Sequence, residues 1–504
     1  MSLYRLIHDR LASASSDPVL IIPGGPSLTG AQILERTARY AAFLSALGVQ
    51  KGDRVAVQVA KSPEALMLYL ACLRMGFVFM PMNTAYLDDE VDFLLGDAEP
   101  AAFIHRPETE AASREIAQRR GVRHVFSLGA EGEGSFVDGA AESVAEAGMA
   151  DCADDDLAAM LYTSGTTGKP KGAMLTQRNL ASNALALVEA WRFTAEDVLL
   201  HALPIFHTHG LFVASHCALL SGARMLWLSG FEREQVVALL SEATVFMGVP
   251  TYYTRLLSGD DFTRERCRGM RLFVSGSAPL LAETHREFEA RTGHVILERY
   301  GMTETGMNTG NPYEGPRIPG SVGKPYKDIS VRVVGEDGGE VPVGAVGEIQ
   351  VKGPNVMKGY WRQPEKTAAE FTADGYFKTG DVGKLDESGY LAIVGRAKDM
   401  IISGGFNVYP KEIEALIDEL PGVVESAVVG VPHPDFGEVG VAVVKAIRPI
   451  DEAEIVALLK ARLANYKVPK RVFFTGELPR NAMGKVQKNL LRESYRGLFM
   501  ALPL

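Results

Sequence analysis

Between Thr29 and Met80 the sequence alternates helix and strand signals, and this alternation narrows the possible folds more than any other feature. Thr29 can cap a helix carrying Ile33, Leu34 and Phe43, which Gly48 can end. The alternating run at 55–59 predicts a strand. Ser62, Pro63 and Glu64 start a second helix, Gly76 stops it, and 77–80 predicts another strand. A chain that steps from strand to helix to strand in this way builds a parallel sheet flanked by helices. From about Ser330 the pattern changes to short strands, including 348–351 and 390–394. Beyond Arg396 the sequence predicts a helix near Pro410, strands at 427–431 and 441–444, a helix at 452–463 and a strand at 472–474. The expected fold class is therefore α/β. A large N-terminal domain, 1–397, has parallel-type sheets and helices, and a smaller mobile α+β domain, 398–504, follows a boundary near Lys398. The stretch 128–156, rich in Gly, Ala, Glu and Asp, reads equally as a surface connection or an irregular helix.

A chain of 504 residues with 47% hydrophobic and 23% charged residues can bury more than one core. The net charge of −10 is spread along the chain and there is no basic arm or stripe, which argues against nucleic acid or an anionic membrane as partner. Cys72, Cys152, Cys217 and Cys267 are far apart and form no CxxC pair, a pattern that suits a reducing cytosol and not a zinc or disulfide framework. The N-terminal segment carries charges where a secretory signal would be apolar, and the most apolar run, 66–73, is broken by Arg74 and Gly76. A cytoplasmic protein is expected.

The strongest local motif is 162–172, reading Tyr-Thr-Ser-Gly-Thr-Thr-Gly-Lys-Pro-Lys-Gly after a strand-like run. Glycines let backbone N–H groups approach phosphate oxygens, hydroxyls add donors, and Lys169 and Lys171 add charge. The spacing fails the Walker pattern, because two residues separate Gly165 from Gly168 and no Ser or Thr follows Lys169.

With this string the chain resembles the adenylate-forming superfamily of acyl-CoA synthetases, peptide-synthetase adenylation domains and luciferases. Further motifs extend the resemblance in order over almost the whole chain. It implies an AMP-forming acid–thiol ligase that uses ATP, Mg2+ and coenzyme A. Thr163, Ser164, Gly165, Thr166, Thr167, Gly168, Lys169 and Lys171 would bind the phosphates. Ser277, Ala278 and Pro279 would line the adenine and acyl pocket. Glu298, Arg299, Tyr300, Gly301, Met302 and Thr303 would form the nucleotide motif, with Tyr300 stacked on adenine, Thr303 at the α-phosphate and Glu304 holding Mg2+. Asp381 would accept hydrogen bonds from both ribose hydroxyls, Arg396 would lie near the ribose, and Lys398 would be the pivot of a hinge. Gly404 and Gly405 would line the pantetheine tunnel. Lys485, with His207 and Thr163, would be catalytic; Lys488 close by reads as a bystander.

Within the superfamily, the segments 204–210 and 281–287 are similar to malonyl-CoA synthetases. That similarity implies that Arg286 pairs with the carboxylate that does not react, and that His209, with Ser277 and Met302, bounds a small polar acyl pocket. An arginine on a helix surface, paired with Glu283 or Glu287, is the other reading of Arg286. Gly306 departs from the resemblance, because a larger polar residue is expected there. The partners implied are small molecules (malonate or methylmalonate, ATP and CoA), in a monomer or weak homodimer. Another short acid, an aryl or fatty acid, a different thiol acceptor, acyl-adenylate oxidation and a nucleotide-sensing module are the competing readings. A serine hydrolase is disfavoured by the lack of a G-x-S-x-G elbow.

Overall fold

The computed structural model describes residues 2–144, 148–164, 170–403, 406–481 and 485–499. The fold is α/β. The helix starts predicted at Thr29 and Ser62 are present with side-chain caps. Thr29 accepts from the Gln32 backbone N–H at 3.3 Å, and the Gln32 side chain accepts from the Thr29 N–H at 2.9 Å. Ser62 caps Pro63–Met75, and Gly76, with φ 69°, ends it in the left-handed region. That helix is buried along 64–73, so its apolar residues go all round rather than along one stripe.

Helix and strand alternation does produce parallel sheets, and there are two. One has seven strands. Its parallel part runs through Leu157–Ser164, Val78–Pro81, Arg54–Gln58, Ala102–His105 and His124–Ser127, and Pro170–Thr176 then Gly359–Tyr360 continue it antiparallel from Leu157–Ser164. The other has nine strands, with Leu297–Met302, Leu272–Ser275, Val245–Gly248, Val198–His201 and Arg224–Trp227 parallel in that order. A four-stranded antiparallel sheet from Ser330–Val334 to Leu391–Arg396 follows.

The last sheet has five strands, with Val423–His433 and Gly437–Ala446 paired over their length and Arg471–Phe474 added in parallel. Its valines alternate between two cores. Val428, Ala442 and Val444 face Ile413, Ile417, Ile455 and Leu459, whereas Val429, Val431, Val441 and Val443 face Leu478 and Leu491. Among the described residues, no buried apolar cluster mixes side chains from before Leu391 with side chains from after Ile401.

The stretch 128–156, read equally as a surface connection or an irregular helix, includes a short helix, Ser135–Ala141, whose Phe136 is fully buried and packs edge-on to Tyr40 with ring centroids 5.0 Å apart. A single aromatic in a weakly periodic stretch carries this packing, which is why the periodicity did not show it.

Candidate active site

The described ends of the phosphate-type string lie on the paired strands Leu157–Ser164 and Pro170–Thr176, where Thr163 pairs with Lys171 across the ladder. Gly165, Thr166, Thr167, Gly168 and Lys169 lie outside the described residues, as do Gly404, Gly405 and the side chain of Ser164. Lys171 is buried with its ammonium 4.8 Å from the centre of the Tyr360 ring and 3.9 Å from Glu370. Burial, then the Lys366 charge, lowers its pKa.

Glu304 lies where the strand Leu297–Met302 turns back into Gly306–Gly310. Its carboxylate is buried and accepts from Thr163 Oγ1 at 3.0 Å and Tyr360 OH at 3.2 Å. Burial raises its pKa. A desolvated carboxylate that accepts from two neutral hydroxyls suits a hard divalent cation. Among the described residues no cluster of three metal-ligating side chains occurs, so Mg2+ at Glu304 would take its other ligands from phosphate oxygens and water. Nothing in the sequence singles out Tyr360. Gly306 has φ 58°, and a Cβ there would lie 2.6 Å from Asn183 Oδ1, which accepts from the Met307 N–H. The turn that aims Glu304 thus excludes the larger residue expected at 306.

On the same strand, Tyr300 OH donates to Asp381 Oδ2 at 2.6 Å, and Arg396 Nε forms an ion pair with Asp381 Oδ1 at 2.9 Å. Asp381 is buried on Phe377–Leu385, and Arg396 faces it across the antiparallel register with Leu391–Arg396. Burial, with Asp381 beside it, raises the Tyr300 pKa far enough that the phenol stays protonated. Three widely separated sequence motifs therefore meet at one carboxylate.

Lys485 reaches the same place from the C-terminal sheet. Its backbone N–H donates to Asn481 Oδ1 at 2.9 Å, next to the bridge between Arg480 and Val486. The side chain keeps contact with solvent, but the surrounding protein and then the Arg396 charge push its pKa down to about 8, with Asp381 opposing. Lys488, by contrast, is held in an ion pair with Glu414 at 2.5 Å. Lys398 is exposed in a single 3-10 turn, Ala397–Asp399, and the neighbouring Asp399 pairs with Arg492 at 3.1 Å.

The acyl-side residues converge on the loop after Leu272–Ser275. Ser277 adopts φ 72°, a strained conformation for a serine, and its hydroxyl lies 3.4 Å from His209 Nδ1. Ala278 and Pro279 continue the loop, and the Leu280 N–H donates to Glu298 at 3.2 Å. Burial pushes the Glu298 carboxyl up to about 7. His209 opens a π-helical turn, His209–Ser215, and its N–H donates to His207 Nδ1 at 3.3 Å. Gly210 is required there, because a Cβ would lie 2.0 Å from the Pro204 carbonyl oxygen. Burial and the Arg299 charge push His207 down to about 4 and lower His209 as well, so both imidazoles are neutral at physiological pH. Arg286 stands exposed on Ala282–Thr292 and makes no ion pair among the described residues; Glu287 is taken by Arg291 at 2.7 Å. Met302 and Thr303 are half-buried beside the turn. Glu298 and Tyr300 share one face of their strand, so Arg299 projects to the other face, a separation that strand periodicity alone gives.

The described residues bring together a buried carboxylate addressed by Tyr300 and Arg396, a second one held by Thr163 and Tyr360, and Lys485 near the first, an arrangement that suits a nucleotide-dependent acid-activating enzyme. The chain matches the AMP-binding enzyme family over residues 8–361 and the AMP-binding enzyme C-terminal domain over 412–485. It is 37% identical to a feruloyl-CoA synthase of an Amycolatopsis species, over 96% of this chain and 98% of that protein. It is 36% identical to a malonate–CoA ligase of Arabidopsis thaliana, over 91% and 80%. Its structure is similar to the crystal structure of ATP-bound MatB from Rhodopseudomonas palustris, with a TM-score of 0.95, 53% identity and coverage of 99% and 100%. The chain belongs to the AMP-binding enzyme family. It is an AMP-forming acid–thiol ligase that works with ATP, Mg2+ and coenzyme A.

Proposed function

We propose that the acid is malonate, with methylmalonate as a second substrate, and that the product is malonyl-CoA. The observation that carries this reading is the polarity of the acyl side: His207, His209 and Ser277 meet there, and Arg286, close in sequence, has no carboxylate partner among the described residues. A second carboxylate needs such partners, since an unpaired charge in a closed pocket costs about several kcal/mol. The malonate–CoA ligase relative supports the same acid. The feruloyl-CoA synthase relative, at 37% identity, supports an aromatic acid as the second reading.

In the first half-reaction a carboxylate oxygen attacks the α-phosphorus of ATP, the bond to the β-phosphate bridging oxygen breaks, and pyrophosphate leaves. Asp381 holds the ribose hydroxyls and is itself fixed by Tyr300 and Arg396. Thr163 and Lys171 position and neutralise phosphate oxygens, and the Lys485 ammonium stabilises the charge that builds as carboxylate and phosphate meet. Mg2+ held by Glu304 supplies further neutralisation of the phosphates when bound. In the second half-reaction the CoA thiol loses its proton and attacks the acyl carbon, and AMP leaves with the former carboxylate oxygen. Domain 398–504 swings about Lys398 between the halves, which brings 403–407 to the thiol path. The enzyme works as a monomer or weak homodimer in the cytoplasm.

The test is AMP release with CoA and a panel of acids. Malonate and methylmalonate should lead. A higher kcat/KM for ferulate or acetate would sink the malonate reading and leave the ligase class intact.

A further inference from the structure

Lys61 lies shortly past Arg54–Gln58, just before the Ser62-capped helix, and reaches from the seven-stranded sheet to the end of Val198–His201 in the nine-stranded one. Its amine is fully engaged, and by no anion. Nζ lies 2.9 Å from His201 Nδ1, donates to the His201 carbonyl oxygen at 2.7 Å and stands 4.3 Å from the centre of the Trp227 ring. No carboxylate pairs with it among the described residues, and burial lowers its pKa. His201 is 1% exposed, and its other ring nitrogen, Nε2, lies 3.0 Å from the Gly210 carbonyl oxygen and 3.1 Å from Ser215 Oγ. Ser215 Oγ donates to the same carbonyl at 2.9 Å. A carbonyl oxygen only accepts, so Nε2 carries the proton. Burial, then the Lys61 charge, keeps the ring neutral, which leaves Nδ1 bare to accept from Lys61. The donor order runs one way, from Lys61 through the imidazole to Gly210.

Gly210 and Ser215 belong to the π-helical turn His209–Ser215, a rare geometry that concentrates at functional sites. The turn opens with His209, whose N–H donates to His207 Nδ1 and whose own Nδ1 faces Ser277 Oγ. We infer that Lys61 and His201 are positioning residues for the acyl side: Lys61 holds His201 in its Nε2–H tautomer, and that N–H fixes the turn that presents His209 beside His207 and Ser277. The inference rests on the reading above that these three side chains bound the acid. In the other tautomer a bare nitrogen would face the Gly210 carbonyl, acceptor against acceptor, and the turn would lose its tie to the strand. Neither Lys61 nor His201 belongs to the nucleotide side built on Thr163, Glu304 and Asp381, so loss of the tie acts on the acid and spares ATP.

The experiment compares wild type, Lys61→Met, His201→Gln, His201→Phe and the double variant Lys61→Met with His201→Phe, using the acid that leads the panel above. The kcat/KM for the acid and the KM for ATP are read separately, and thermal melting follows folding. Lys61→Met should lose about 10- to 100-fold in kcat/KM for the acid, the scale of a small displacement beside the reacting groups, with the ATP KM unchanged. His201→Gln offers an amide N–H toward Gly210 and should keep more of the activity than His201→Phe. The double variant leaves no ring nitrogen or amine unpaired, so it should melt near wild type and still be as slow on the acid as Lys61→Met, which separates position from folding. In ligand-free enzyme with histidine labelled for nitrogen NMR, the His201 signal, assigned by its loss in His201→Gln, should show a protonated Nε2 and a bare Nδ1. Lys61→Met should mix in the other tautomer. A charged ring or an Nδ1–H form in wild type, an unchanged kcat/KM for the acid in Lys61→Met, or an ATP KM that rises with the acid KM overturns the inference. The acyl-side reading fails separately: if His209→Ala leaves the acid KM unchanged, that reading falls, whereas the tautomer measurement decides the Lys61–His201 tie without any acid present.

Discussion

Asp381→Asn isolates the charge at the carboxylate where Tyr300, Arg396 and the incoming ribose are expected to meet. Asparagine keeps the shape, and its remaining oxygen can still accept from Tyr300, whose OH lies 2.6 Å from Asp381 Oδ2. The other oxygen becomes an NH2 group facing Arg396 Nε at the present 2.9 Å, donor against donor. The Asp381 side chain is 5% exposed and that of Arg396 33% exposed, so the lost ion pair is partly screened from the arginine side. The ribose contribution is cleaner: one of two hydroxyls loses a charged acceptor, worth about 1.5–3 kcal/mol, or about 10- to 150-fold in ATP affinity. Tyr300→Phe is the matched control, since it deletes one hydroxyl and keeps the ring for the adenine, and should cost about 0.5–1.5 kcal/mol. ATP titration by calorimetry, with melting curves for each variant, reads both effects. Equal ATP affinity in Asp381→Asn and wild type, or a larger loss in Tyr300→Phe, would refute the ribose assignment and leave Asp381 a packing group.

Lys485→Ala should abolish acid-dependent pyrophosphate exchange and leave capture of preformed acyl-adenylate by CoA largely intact; loss of both half-reactions in stopped assays would contradict its role. The pH dependence has a definite sign. The Lys485 ammonium has its pKa lowered to about 8, so kcat/KM for ATP should fall as pH rises through about 8. The limb should move upward in kcat, because bound phosphates favour the charged form, and Lys485→Arg should remove it from the accessible range. With His207 lowered to about 4, no limb from that imidazole is expected between pH 5 and 8, and one appearing near 6.5 would show a charged histidine in the site.

The residues expected on the nucleotide side come in contiguous motifs whose chemistry is local: hydroxyls and glycines in one string, Tyr-Gly-Met-Thr-Glu at the end of a strand. Thr163 meeting Glu304, and Tyr300 meeting Asp381, follow once those motifs share one cleft. Tyr360 on Glu304 was not legible, since it comes from a two-residue strand that extends the sheet at its edge. The partition of strands between two parallel sheets was equally hidden. Helix and strand alternation sets how each strand connects and not which sheet it enters, so Pro18–Ile21 pairs with Arg224–Trp227 far along the chain. Arg299 was legible in part: alternation puts it opposite Tyr300, but no pattern shows that its Nε and Nη2 are left without an acceptor among the described residues. Gly306 is a local case of the same limit, where the reason for glycine is an asparagine more than a hundred residues away.

The separation of apolar clusters at 391–401 has a consequence for how the enzyme responds to its surroundings. A lobe that carries its own oil on both faces of its sheet uncovers little of it when it turns. The reorientation proposed about Lys398 should then show a small heat-capacity change and a marked response to ionic strength, because what it exchanges is charge against charge, Lys485 near Asp381 and Arg396. Occupancy of the cleft, through the charges it brings, would set the lobe's orientation far more than temperature does.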